Sequence, residues 1–358
     1  MRKINVVNFE GQTIFCGVDV HKKSWQVNIR CSDFELCSFT QPPSAEGLYN
    51  YLRSRYPGAD FQVVYEAGFS GFGLQRSLRE SGVNCLVINP ADVPSSDKDK
   101  KRKSDRVDAR KLSRELSNGT LSSIYIPAVE MEHARTLVRQ RTMLVKDSIR
   151  CKSRIAHKVM FSGLEMGDYD GPQYWSRNYV EHLRGLHCPT PALRHALDLA
   201  IDEYVMVRKL LNQATCQIRA LARQEPFAKT RELLQTIPGI GLINAMIILT
   251  EIQDINRFSN LGKLCSYCGI VPDKFSSGDK EAVRGITHRS NNHLRVAIVE
   301  SSWTLIRKDP AMLMLYKKYC QSMVTNKAII KIAYHLLSRL KHVWKTGEPY
   351  QIGLAGGV

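Results

Sequence analysis

From residue 13 to residue 88 the apolar positions come in short runs rich in Val, Ile, Phe, Tyr and Trp, each closed by a turn former or an acid. Such runs predict strands. Thr13 to Val20 is the first and carries Asp19 at its end. His21-Lys22-Lys23-Ser24 then turns the chain, and Trp25 to Arg30 and Glu35 to Thr40 follow as a second and third strand. Ala45 to Arg55 changes to a helical period, with Leu48, Tyr51 and Leu52 on one side. Phe61 to Tyr65 is a fourth strand running into Glu66. Gly71 to Ser81 predicts a helix, and Asn84 to Ile88 a fifth strand that stops at Asn89-Pro90. A hairpin meander followed by strands alternating with helices predicts an α/β layer with a mixed sheet.

Beyond residue 100 the period is helical almost throughout. Ser104 is a natural N-cap for a helix starting at Asp105. Met131 to Val159 predicts one long helix, and Phe161 to Pro189 is irregular. Thr190-Pro191 opens a second long helix, since Pro suits a first turn. Leu193, Leu197, Ala200, Tyr204, Val207, Leu211, Ala214, Ile218 and Leu221 then alternate four and three apart, the signature of a coiled coil. Its partner is either the preceding helix or a second copy of the chain; the long seam, uninterrupted by polar residues, favours a second copy. Pro238-Gly239-Ile240-Gly241 separates two further helical runs. Glycines Gly239 and Gly241 there let backbone N–H groups approach phosphate, as in a helix-hairpin-helix, although a plain turn between helices fits the same residues. Three domains are expected, over 1–125, 126–225 and 226–358.

Charge narrows the class. Lys and Arg number 51 against 34 Asp and Glu, a net +17 with a pI near 9.5. A surplus of this size points to a polyanion, most simply nucleic acid. No apolar run reaches membrane-spanning length and no signal-peptide pattern opens the chain, so a cytoplasmic protein without a membrane partner is expected. Lys101, Arg102 and Lys103 close a charged loop before the Ser104 helix. Lys146, Arg150, Arg154 and Lys158 recur every four residues; like charges so spaced destabilise a helix unless something anionic meets them, the other reading being a solvated face. The ten scattered cysteines suit reduced thiols. Cys265-x-x-Cys268, followed by His288 and His293, has neither finger spacing nor a second pair, so the thiols are read as core and zinc is not expected.

The acids carry the candidate chemistry. Asp105 and Asp108 are one turn apart on one helical face, which the helix dipole alone would favour. Asp19 and Glu66 end two strands, where α/β sheets gather ligand groups along a crevice. Four carboxylates brought together repel unless a cation neutralises them, and oxygen ligands favour Mg²⁺ or Mn²⁺. Such a centre suits phosphoryl transfer on nucleic acid. No organic cofactor is expected.

The strand order and acid placement resemble a ribonuclease-H-like domain of the RuvC, Holliday-resolvase type. A wider ordered set is more specific: Gly17-Val18-Asp19, Tyr65-Glu66-Ala67-Gly68, Asn89-Pro90, Ser104-Asp105-Arg106-Val107-Asp108-Ala109, Ile237-Pro238-Gly239-Ile240-Gly241, Gly269-Ile270-Val271-Pro272 and Ser277-Gly278. Over nearly the whole chain these motifs resemble the DEDD transposases of the IS110 family of insertion sequences. The resemblance implies a RuvC-like α/β domain, a helical coiled-coil middle, and a mainly α C-terminal domain with a helix-hairpin-helix. It implies that Asp19, Glu66, Asp105 and Asp108 hold Mg²⁺ and that Ser277 is the nucleophile, with Ser276 one residue out of register. It further implies a covalent 5′-phosphoserine, donor and target double-stranded DNA, a structured bridge RNA, and a homo-oligomer, dimeric or tetrameric on DNA. Arg284, Arg289 and Arg295 become candidates for phosphate contact, and the setting becomes the prokaryotic cytoplasm, at the nucleoid during action. The sequence departs from the family pattern at Cys268 and by a few extra residues between Gly278 and Val283. Two rivals remain: a RuvC-like nuclease or junction resolvase using water as nucleophile, and a non-catalytic nucleic-acid-binding protein.

Overall fold

A computed structural model of the chain describes residues 9–94, 104–167, 169, 171–172, 175–277, 280–287 and 289–353, with the backbone alone within 273–277 and 280–284. The chain divides into two compact units, Met1–Ile126 and Pro127–Val358. The helical middle expected over 126–225 and the C-terminal part expected over 226–358 both belong to the second.

The first unit is a mixed α/β sheet domain. Its strands are β1 (Thr13–Val20), β2 (Trp25–Cys31), β3 (Phe34–Gln41), β4 (Asp60–Glu66) and β5 (Asn84–Ile88), in the order β3-β2-β1-β4-β5. β1 is central, antiparallel to β2 and parallel to β4. Strand alternation sends Ile14, Cys16 and Val18 to one face. There α1 (Ala45–Arg55) and α2 (Gly73–Glu80) close a core with Leu48, Leu52, Leu74 and Leu78. α2 starts two residues later than its apolar pattern suggests because Gly71 adopts a φ of +61°, which no helix accommodates.

The other face carries Phe15, Gly17 and Asp19 on β1 and Val64 and Glu66 on β4. It receives α3 (Asp105–Ser117) through Leu112 and Leu116. Gly17 has a steric reason to be glycine: a Cβ there would stand closer than 3.0 Å to both the Ala109 carbonyl oxygen and the Ser113 amide nitrogen. The helix rests on bare strand backbone. Its rotation is set by a polar chain in which Ser113 Oγ donates to Asn28 Oδ1 at 2.5 Å and Asn28 Nδ2 donates to Glu35 Oε1 at 3.0 Å. Arg110 Nε completes it, 2.7 Å from Glu35 Oε2.

In the second unit α4 (Val129–Phe161) and α6 (Pro191–Leu221) form an antiparallel pair, linked through α5 (Arg177–Gly185). Ala134 and Val138 share one apolar cluster with Ile218 and Ala222; Cys151, Ile155 and Val159 share another with Leu197, Ile201 and Tyr204. The seam expected on α6 is therefore filled by α4 of the same chain, and it carries no argument for a second copy. Within it Ile201, not Ala200, is the buried position, a drift expected when a 3.6-residue helix follows a seven-residue pattern. Around the larger cluster pack α7 (Ala228–Gln235), α8 (Leu242–Ile252), α9 (Leu261–Cys268), α10 (Asn292–Lys308), α11 (Pro310–Cys320) and α12 (Thr325–Thr346), with Ile332, Leu336 and Leu340 of α12 fully buried. An antiparallel ribbon of β6 (Pro272–Ser277) and β7 (Lys280–Ile286) stands between α9 and α10. Cys265 and Cys268 belong to this core, and burial pushes their thiols up to about 11 and about 12. Among the described residues no helix is long and apolar enough to cross a membrane.

Candidate active site

Two structural facts bring the sequence-predicted acids into one neighbourhood. Parallel pairing of Val18 with Tyr65 sets Asp19 beside Glu66 at the carboxyl ends of adjacent strands, on the same face. The seating of Ala109 on Gly17 then carries the first turn of α3, with Asp105 and Asp108, over the end of β1. That turn is organised by Ser104, whose Oγ accepts from the Val107 amide at 3.4 Å.

His21, the first residue after β1, completes the arrangement. Its Nε2 lies 3.3 Å from Asp19 Oδ2 and 3.2 Å from Asp105 Oδ2. One ligand atom from each of Asp19, His21 and Asp105 lies within 4.8 Å of the other two. The trio faces solvent, the Asp105 side chain being 65% exposed and that of Asp19 22%. Glu66 and Asp108, both half-buried, are not members of the trio: one ends the neighbouring strand and the other lies one helical turn further on. The donor set fits a hard divalent cation. Two carboxylates offer oxygens, the open side leaves room for the water ligands Mg²⁺ retains, and imidazole is acceptable to Mn²⁺. His21 was not among the residues singled out from the sequence, where it reads as part of a turn. The available signal was its position two residues after Asp19, which in extended chain puts both side chains on one face.

The serine candidate lies elsewhere in the fold. Ser277 ends β6, in the second unit, and its side chain, like that of Arg284 on β7, lies outside the described residues. Lys101, Arg102 and Lys103 lie outside them altogether, as does His288.

A polar network centred on the buried Glu251 braces the base of the ribbon. Thr287 N donates to Val271 O at 3.0 Å, and the Arg295 guanidinium donates to Thr287 O. Asn291 Nδ2 donates to Glu251 Oε2 at 2.7 Å, and Arg139 reaches the same carboxylate with two bonds of 2.7 and 2.8 Å. Burial alone would push the Glu251 carboxyl up; hydrogen bonds from Arg139 and Asn291, and the charges of Arg139 and Arg135, outweigh it and hold the group below its ordinary value. Arg295 is thus committed to the fold. Sequence reading missed Glu251 because it sits in an apolar helix and its partners come from distant segments.

The basic candidates divide similarly. Lys146, Arg150 and Arg154 are exposed on α4 and Lys158 is half-buried. Arg150 pairs with Asp147 and Arg154 with Glu203, so acids of the chain meet half of the stripe. Arg289 is exposed. Gly239 takes a φ of +94° and abuts the Ser301 carbonyl, a packing reason for glycine. Gly241 is exposed at the start of α8 with no side-chain cap.

Residues 16–160, which contain most of β1, all of β4 and α3, and all four acids, match the model of the DEDD transposases, described simply as transposase. Residues 231–317, which span the α7–α8 hairpin and the β6–β7 ribbon, match the transposase IS116/IS110/IS902 family. The chain belongs to the IS110 family of insertion-sequence transposases. A putative transposase of Sinorhizobium fredii is 32% identical over 253 residues, 69% of this chain and 60% of that protein. The match therefore spans less than two thirds of that relative's own length. The transposase for insertion sequence element IS1533 of Leptospira borgpetersenii is 26% identical, over 69% of this chain and 72% of its own. The transposase for insertion sequence element IS1111A of Coxiella burnetii is 24% identical, over 68% and 66%.

Proposed function

We propose that this chain cuts and rejoins donor and target DNA, with Asp19, Glu66, Asp105 and Asp108 as the acidic centre of a ribonuclease-H-like domain and Ser277 as the nucleophile. The observation that carries the reading is the meeting of Asp19 and Asp105 across His21, at the carboxyl end of a parallel strand pair, in a chain of this family with a net charge of +17.

In the proposed step Ser277 Oγ bonds to the scissile phosphorus and the bond from phosphorus to O3′ breaks. The serine proton leaves by way of a carboxylate, and O3′ takes one up. The products are a 5′-phosphoserine and a free 3′-hydroxyl; attack of a new 3′-hydroxyl reverses the step and rejoins the strands. A serine hydroxyl is a weak nucleophile at neutral pH, so the carboxylates must take its proton and His21 must keep two of them in place. These acids would hold Mg²⁺, which would supply Lewis-acid polarisation of the phosphate. Ser277 and the acids belong to different compact units; the reaction requires them to meet, within one chain or between copies. We propose a homo-oligomer, dimeric or tetrameric on DNA, that assembles such a composite site. A structured bridge RNA would select the DNA by base pairing while basic side chains hold backbones.

The test is covalent trapping. Purified protein with Mg²⁺ and the RNA of its element is mixed with end-labelled donor and target DNA, and labelled protein is sought on a denaturing gel. An adduct formed by the wild type and by Ser276→Ala, and lost in Ser277→Ala and Asp19→Ala, is the expected outcome. Strand cleavage without any adduct in all of them refutes the serine step and leaves a nuclease that uses water.

A further inference from the structure

A cavity of about 930 Å³ opens in the second unit, between α10, α12, the end of α11 and the base of the β6–β7 ribbon. Its size and apolar lining are those of a ligand site. Trp303 of α10, Tyr319 of α11 and Tyr334 of α12 contribute aromatic walls, and Lys327 and Lys331 of α12 stand at its edge, both exposed. No acid lines it. The two lysines are one turn apart, an arrangement that costs stability unless an anion meets it, and no ion pair to either is formed among the described residues. His335 continues the same helical face inward, with Nε2 2.9 Å from the Tyr319 hydroxyl. Burial, then Arg339 and Lys331, hold its imidazole below the ordinary value. The floor is therefore neutral and the rim positive.

A ligand matching this site has a flat, apolar body that stacks on aromatic rings and an anionic part that reaches the rim. We propose that the cavity takes one unpaired base of a nucleic-acid strand, with its flanking phosphates on Lys327 and Lys331. This rests on the reading of the chain as a nucleic-acid enzyme and extends it to a specific site. Stacking on aromatic side chains is how sequence-tolerant single-strand sites are built, and a base must leave the helix before it can enter a closed pocket. The pocket also lies at a useful place. Pro272 forms part of its wall and begins the strand that Ser277 ends, roughly 17 Å of extended chain away. A strand anchored by one base here runs alongside the ribbon that carries the serine.

The test uses the full chain and short fluorescent oligonucleotides: a single strand, the same strand with a run of abasic sites, a duplex, and a free mononucleotide as competitor. Tyr334 is 43% exposed, so Tyr334→Ala spares the core, and Tyr334→Phe keeps the ring. Single-strand affinity is expected to fall roughly 5- to 100-fold in Tyr334→Ala and in the abasic strand, and to hold in Tyr334→Phe. Lys327→Glu with Lys331→Glu is expected to flatten the salt dependence by about 1.4 log units per log unit of salt. Wild-type affinity in Tyr334→Ala, with duplex binding intact, overturns the pocket and leaves the enzyme reading standing. Competition by the free mononucleotide as strong as that by the strand overturns the proposal in favour of a nucleotide site. Failure of the wild type to bind strand or duplex refutes the nucleic-acid reading itself.

Discussion

Replacing Gly17 by alanine tests whether contact between α3 and β1 assembles the acidic site. The added Cβ would stand closer than 3.0 Å to two backbone atoms of α3, the Ala109 carbonyl oxygen and the Ser113 amide nitrogen. Neither is the end of a flexible side chain, so the helix itself must retreat, by on the order of 1 Å to recover van der Waals separation. Overpacking of this kind costs about 1–3 kcal/mol. The functional effect is expected to be larger. Asp105 rides on the displaced helix while Asp19 stays on the strand, and a misplacement of ~1 Å at a reacting centre costs roughly 100-fold in rate. Urea unfolding measures the first quantity and Mg²⁺-dependent strand cleavage the second. Gly73→Ala, where an added Cβ meets nothing within 4 Å, is the control and should behave as wild type. A Gly17→Ala protein with wild-type stability and cleavage would refute the reasoning, because the sheet would then tolerate what the geometry forbids.

Three further outcomes are expected. Asp19→Asn should weaken Mn²⁺ binding in a calorimetric titration and abolish cleavage, whereas His21→Gln, which removes one donor of the trio but no carboxylate, should weaken binding less and lose about 10–100-fold in cleavage rate, a typical share for a proton-handling or positioning group; equal binding by Asp19→Asn and wild type would count against the cation site. Glu251→Ala should lose about 1–3 kcal/mol, since it leaves the partly exposed Arg139 and Arg135 guanidinium groups and the Asn291 amide without their shared acceptor. Because the Glu251 carboxyl is held below its ordinary value, its contribution is complete above about pH 4.3, its unfolded value, and fades as pH falls through the folded value; the stability gap between wild type and Glu251→Gln should therefore narrow from pH 7 to pH 3.5, and a constant gap would refute this. Ser113→Ala should cost about 1–2 kcal/mol in urea unfolding by leaving the buried Asn28 oxygen without its donor.

The first unit was legible because its strands are short runs of β-branched and aromatic residues whose ends are marked by turn formers or acids. Thr13–Val20, Ala45–Arg55 and Asn84–Ile88 fall where the apolar pattern puts them. Asp19, Glu66, Asp105 and Asp108 were readable as strand-end and first-turn acids, but their meeting depends on Gly17, whose role is visible only with α3 in place. His21 was hidden because it reads as part of a Lys-Lys-Ser turn and its second partner, Asp105, comes from a distant helix. The seam on α6 was readable as a seam, yet heptads do not say whose helix fills it; antiparallel pairing within the chain had to be seen. The Glu251 network and the aromatic cavity are products of tertiary packing alone, the first joining residues far apart in sequence and the second set by how three consecutive helices fold back on the ribbon.

The α4–α6 hairpin has a consequence for how this family of chains can vary. One end of the pair is built into the large helical core and the other closes a small cluster with α5, so the intervening stretch acts as a spacer between two fixed modules. Seven residues added to each helix would keep the seam in phase and move the distal cluster out by about 10 Å. Any number out of step with the seam would swing that cluster around the axis by about 100° per residue. Reach can therefore change only in discrete increments, and lineages that differ in arm length are expected to differ by whole heptads, keeping the tip aimed at the same side.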